Sequence, residues 1–389
     1  MQILFIASAI ILITLEFIIC VDAWCNATND QKHYMCVGQR YYGLGSLSVN
    51  QDTRQKIEKL TFLDCQQKDL SEEIFEFPSA KYLTVSCGVE TIHENAFKNL
   101  NGLQDLDLTS NLISALPDSV FKWMGDLKKL DLSKNNLNEL TRKMFEGTNN
   151  LRRLYLSYNS ISRFNIKAFD SMRNLKELYL NNNKISVVPS RLFSRLSSLL
   201  TVDLSYNKIE DLGGIFTLTY DLKEVNLSHN AIEGLPSQLF KFSSLEVLDL
   251  SFNKLTVLYE DALKLDTLKE LHLQNNQLSL LEAKLTSLVR IPLEFLDLRH
   301  NRLVFLEEDF IKLAIFLDVF KVEDNPWDCN CFEKMEELHG ELSLDLSSPY
   351  VNGEEPLCVV GISNDNVCNI NKDDLSRYYE VYVDQLGPR

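Results

Sequence analysis

One asparagine returns ten times at a nearly constant interval: Asn111, Asn135, Asn159, Asn183, Asn207, Asn230, Asn253, Asn276, Asn301 and Asn325, spaced 23 to 25 residues apart. No other feature constrains the fold as tightly. Fixed-period self-similarity requires units that stack in line on their neighbours instead of gathering about one centre. Before each asparagine runs Leu-x-x-Leu-x-Leu, with Val, Phe or polar exceptions. Two residues after it stands Ile or Leu in every copy but the last.

Segments such as "LKKLDLSKNNL", "LRRLYLSYNSI" and "LEVLDLSFNKL" resemble the leucine-rich repeat. Two earlier copies carry cysteine in place of asparagine, at Cys65 and Cys87. A phenylalanine ten residues past the key position marks the same register at Phe75, Phe97, Phe121, Phe145, Phe169, Phe193 and Phe240. We count about twelve units over residues 57–327. Each Leu-x-Leu reads as a short strand with leucines inward and the intervening residues outward. The expectation is an α/β leucine-rich repeat solenoid with a curved parallel β-sheet on its concave face. Asparagine suits the end of each strand because its amide both donates and accepts where the chain turns inward. Phenylalanine on the return segment fills the convex side.

Residues 1–23 read as a signal peptide: an apolar run from Ile3 to Val21 with small residues before Trp24, although no Lys or Arg precedes it. The alternative is a retained anchor. Eight cysteines remain after Cys20, grouped at the two ends, as disulfide staples in an exported chain would be. Cys25 and Cys36 suit a hairpin closed by a disulfide in an N-terminal cap over residues 24–56. Equivalent positions in adjacent units lie ~5 Å apart, so Cys65 and Cys87 read either as a bridge or as buried thiols. At the other end "NPWDCNC" (residues 325–331) precedes Cys358 and Cys368, giving a cysteine cap over 328–368. Zinc is disfavoured there by the export signal and the C-x-C spacing. A polar tail, 369–389, follows without heptads.

With the leucines committed to the core, function falls to the outward positions. Four residues before the asparagine stand Asp107, Asp131, Tyr155, Tyr179, Asp203, Asn226, Asp249, His272, Asp297 and Lys321. The residue just before it is Ser110, Lys134, Tyr158, Asn182, Tyr206, His229, Phe252, Asn275, His300 or Asp324. We therefore expect Tyr155, Tyr158, Tyr179, Tyr206, His229, Phe252, His272, Phe295 and His300 to form a protein-binding strip, aromatic side chains being the usual anchors of such contacts. The competing reading of the second column is a fold habit that shields the turn. The acidic column reads as solvation ahead of recognition of a basic partner. Asn26 and Asn226 begin glycosylation sequons. A sugar on Asn226 would interrupt the strip.

The formal net charge is -16, and -14 once Glu16 and Asp22 leave with residues 1–23. Such a surface disfavours nucleic acid and anionic lipid. Hydrolase, zinc-protease and phosphate-loop motifs are absent, so we expect neither an enzyme nor a cofactor or metal. The repeats and caps resemble those of extracellular leucine-rich repeat proteins such as the Toll and Slit ectodomains, and look most like the mosquito leucine-rich immune proteins of the coil-less type. That resemblance implies C-terminal bridges Cys329–Cys358 and Cys331–Cys368. It also implies a secreted, extracellular recognition protein of innate immunity, binding a complement-like factor or a pathogen surface. A matrix or adhesion protein of the Slit or Toll kind is the alternative.

Overall fold

The computed structural model describes residues 24–27, 32–39, 51–65, 67–259, 263, 265–281, 293–306, 310, 314, 317–328, 350–351, 355–356 and 358–359. The chain divides into two compact units, Met1–Tyr179 and Leu180–Arg389.

The first unit opens with an antiparallel hairpin, Trp24–Ala27 against His33–Gln39. Its second strand then pairs in parallel with Lys59–Cys65, the first strand of the repeats. Tyr82–Ser86, Asp105–Asp107, Lys129–Asp131, Arg153–Tyr155 and Glu177–Tyr179 follow, each parallel to its predecessor. The second unit continues the same pattern internally through Thr201–Asp203, Glu224–Asn226, Val247–Asp249, Glu270–His272, Phe295–Asp297 and Val319–Lys321. The central residue of each three-residue strand is buried, from Leu106 and Leu130 to Leu271 and Leu296. Burying each such leucine contributes about 2 kcal/mol that a lone repeat could not obtain.

The asparagines hold successive repeats together. Asn135 shows the pattern. Its Oδ1 accepts the Ile113 N–H of the preceding repeat at 3.1 Å, and its Nδ2 donates to the carbonyls of Leu108 at 2.9 Å and Leu132 at 3.1 Å. Asn253 and Asn301 repeat these bonds in the second unit. The amide thus satisfies three buried backbone groups where the chain leaves the strand.

On the opposite side the phenylalanines stack. Centroid distances are 6.0 Å for Phe75–Phe97, 6.2 Å for Phe97–Phe121, 6.4 Å for Phe121–Phe145 and 6.1 Å for Phe145–Phe169. In the second unit Phe216 fills the gap in the sequence series, 5.9 Å from Phe193 and 5.3 Å from Phe240. Its repeat is one residue shorter, so the ring falls nine residues past Asn207 instead of ten.

The helical half of the expected α/β class is a correction. The first unit's described residues contain one short helix, Gln51–Arg54, and its return segments are tight turns. Leu100 N–H bonds to Phe97 O and Leu103 N–H to Leu100 O; Met124 and Leu127 repeat this. Bonds from residue i to i+3 match the three-residue spacing of the apolar side chains, and the short repeat leaves no length for a helix.

At the amino-terminal end Cys65 and Cys87 are bridged, with Cα atoms 4.4 Å apart, which decides between bridge and thiol. Cys36 is also disulfide-bonded, and the backbone opposite it in the hairpin is that of Cys25. Near the other end Trp327 is fully buried and donates Nε1–H to the Val322 carbonyl at 3.1 Å. Strand Trp327–Asp328 pairs in parallel with Cys358–Val359. The expected signal peptide, Cys329, Cys331, Cys368 and the expected tail lie outside the described residues, as do the side chains of Cys25, Asn26 and Cys358.

Candidate binding face on the strands

The acidic column has a local structural task. Asp107, Asp131, Asp203 and Asp249 each accept, through Oδ1, the backbone N–H two residues on, at 2.9 Å. Asn226 does the same with Ser228 at 3.0 Å. These Asx turns bend the chain out of the strand toward the ladder asparagine. The sequence signal was available in the recurring "DLT", "DLS" and "NLS", but a purely outward reading overlooked it. Asp297 departs further from that reading, being buried under its neighbour. Arg299 folds over it, Nε 3.0 Å from Oδ1 and Nη2 2.6 Å from Oδ2.

Four repeats forgo this turn and carry Tyr155, Tyr179, His272 and Lys321 instead, none of which has a carboxylate or amide oxygen to make it. Tyr155 and Tyr179 are aligned on paired strands, and their rings stack 4.8 Å apart, 1° from parallel. Lys129 Nζ lies 5.6 Å from the Tyr155 centroid and 3.7 Å from Asp105 Oδ2. Partial burial raises the Tyr155 phenol above its ordinary range, and the Glu177 carboxylate adds to this. The phenol therefore stays protonated and keeps its O–H as a donor. In the second unit His272 meets the Phe295 ring at 4.6 Å, and Lys321 Nζ sits 5.3 Å from that same ring.

The column just before the asparagine adopts left-handed backbone throughout, with φ between 52° and 59° from Ser110 to Asp324. Asn, Asp and His accept that region readily, but Tyr158, Tyr206 and Phe252 do not. Tyr158 points outward from its turn and is 54 % exposed. In the second unit three rings from this column stack: Tyr206 on His229 at 4.0 Å, and His229 on Phe252 at 4.1 Å. His300 instead pairs with Asp324, Nε2 to Oδ2 3.2 Å.

The nine residues of the expected strip thus resolve into separate contacts. Tyr155 meets Tyr179; Tyr206, His229 and Phe252 form a ladder; His272 meets Phe295; Tyr158 and His300 enter none of these ring stacks. Among the described residues no group of three or more side chains could hold a metal ion.

A family model described as leucine rich repeat matches residues 78–137, 125–185, 173–217 and 221–278. A search of curated protein sequences finds no match. Among solved structures the chain is similar to a chain of the Drosophila Toll–Spätzle complex, with 21% identity and TM-score 0.58 over 70% of this chain and 40% of that one. It is also similar to a chain of the mosquito LRIM1/APL1C complex, with 22% identity and TM-score 0.60 over 84% and 67%. An internalin of Listeria monocytogenes gives 20% identity and TM-score 0.58 over 76% and 83%. These likenesses carry the fold, and the chain spans less than half the length of the Drosophila chain it matches.

Proposed function

The chain belongs to the leucine-rich repeat family, and from that premise we propose that it is a secreted recognition protein of innate immunity that binds another protein across the exposed face of its strands. One observation carries the reading. Tyr155 and Tyr179 replace the Asx-turn residue in adjacent repeats and present stacked rings instead. Two neighbouring repeats that surrender a local stabilising bond for partly exposed aromatic surface are best explained by a ligand, since such side chains supply contact area at small entropic cost. The negative formal charge favours neutral or basic partners. Toll and LRIM1, in the complexes similar to this chain, are each found with another protein.

Cross-linking the exported chain in its native fluid, with mass-spectrometric identification of what is captured, tests the reading. A protein captured by the natural chain and lost with Tyr155→Ala/Tyr179→Ala supports it. Undiminished capture by that variant rejects this face. A chain retained on tissue or matrix, unchanged on infection, would replace the immune role with an adhesive one.

A further inference from the structure

The repeats that carry the ring ladder of the second unit also carry a second row. Strand register aligns Asp203, Asn226 and Asp249 across the same three repeats that carry Tyr206, His229 and Phe252. Tyr206 and Phe252 are 50 % and 42 % exposed. Each ladder residue has positive φ, 53° to 54°, held by backbone N–H bonds to Ser228, Ser251 and Gln274 of the following repeats. Because the rings are piled face to face, the ladder's flank is made of ring edges, an apolar strip suited to aliphatic stems.

The aligned carboxylates give that strip its charge. Oδ1 of both Asp203 and Asp249 accepts the backbone N–H of its Asx turn, and the Ser205 hydroxyl adds a bond to the Asp203 carboxylate. Among the described residues neither pairs with Lys or Arg, in contrast to Asp297 and its Arg299. Burial raises the Asp203 carboxyl above its usual range, and the neighbouring Asp249 charge adds to the effect, so a cation placed there would relieve the Asp203 carboxylate. The two carboxylates lie two strands apart, ~9.6 Å. In a polyproline-II segment, residues i and i+3 share a face at a repeat of ~9.3 Å.

We propose that this face binds an extended protein segment carrying arginines three residues apart, the arginine stems lying along the Tyr206–His229–Phe252 edges and the guanidinium groups pairing with Asp203 and Asp249. Arginine fits better than lysine because its planar fork can use a carboxylate already engaged at one oxygen. The inference rests on the reading that the strand face binds protein, and adds the chemistry of one partner.

The test uses the full exported chain carrying Ser228→Ala. That change abolishes the sequon but keeps Asn226 and its bond to the residue-228 N–H. The probe is a labelled peptide of four Pro-Arg-Pro units, with the Pro-Glu-Pro peptide as control, titrated by fluorescence anisotropy at low salt. Asp203→Asn/Asp249→Asn retains both Asx turns, as Asn226 shows, and Asp107→Asn/Asp131→Asn makes the matching charge change in the first unit; each of the four changes creates an Asn-x-Ser or Asn-x-Thr sequon, so every protein compared is produced in a host without N-linked glycosylation. At least fivefold weaker binding of the arginine peptide with the former pair, and less than twofold with the latter, is expected. A Tyr206→Asn/Phe252→Asn variant, whose residues tolerate positive φ, should weaken binding similarly. Equal loss from both acidic pairs would mean a general charge effect and overturn the proposal, as would no binding of the arginine peptide. Either result leaves capture through Tyr155 and Tyr179 standing or falling on its own assay.

Discussion

The phenol rings of Tyr155 and Tyr179 lie 4.8 Å apart and 1° from parallel on paired strands. The stack is part of the protein without any ligand, so part of its energy belongs to folding. A double-mutant cycle with Tyr155→Ala and Tyr179→Ala should give a coupling of about 0.5–1 kcal/mol in urea unfolding. A coupling near zero would mean that the rings are held by their own repeats and not by each other.

Asn135→Ala should be among the most damaging single changes in the chain. It leaves the Ile113 N–H and the Leu108 and Leu132 carbonyls without their side-chain partner inside the protein. A loss of about 3 kcal/mol or more is expected from chemical denaturation.

The neighbouring column predicts the opposite sign. Tyr158 has φ +56° and is largely exposed. Tyr158→Gly should therefore stabilise, or at worst leave unchanged, the folded protein, since relief of about 1 kcal/mol of backbone strain offsets the entropy glycine adds to the unfolded chain. A clear fall in the melting midpoint would show that the tyrosine ring contributes to folding as well.

Reduction of the Cys65–Cys87 bridge, or the Cys65→Ala/Cys87→Ala variant, opens a loop whose ends are 22 residues apart. The chain-entropy model puts the cost at about 3 kcal/mol. Amide exchange should report the loss first in strands Lys59–Cys65 and Tyr82–Ser86, before the later repeats.

The Asp203 carboxyl is raised by burial, opposed by its bonds to Ser205. A carboxyl whose folded value lies above the unfolded one weakens the protein once ionised, and that penalty lifts as pH falls through the folded value. Asp203→Asn preserves the turn and removes the charge, and because it creates an Asn-x-Ser sequon both proteins are made in a host without N-linked glycosylation. It should melt at a higher temperature than the natural chain at pH 7, with the difference closing towards about pH 4. A difference independent of pH would assign the effect to something other than ionisation.

Much of this was legible in the residues. The period located the strands, and the leucines had to face inward because nothing else in a repeat could bury them. The need for a side chain that both donates and accepts explained the asparagine ladder before its bonds were seen. The return segments were less legible. Phe216 evaded a fixed-offset search because its repeat is one residue short, and the tight turns could not be told from helix by apolar spacing alone.

The outward columns show where the linear pattern runs out. Counting residues placed Asp107 and Asp297 in one column, and both accept the N–H two residues on, yet Asp297 alone of the two is buried under an arginine, Arg299. It placed Tyr206, His229 and Phe252 in another, without the positive φ that sets their rings face to face. By itself, then, the sequence determined the repeat, its inward face and the role of its asparagines, because those depend on interactions recurring identically from one unit to the next. The ring stacks and the Cys65–Cys87 bridge were decided only by the tertiary structure. They depend on which non-equivalent side chains the parallel register sets side by side, at distances of a few ångströms that no spacing along the chain specifies.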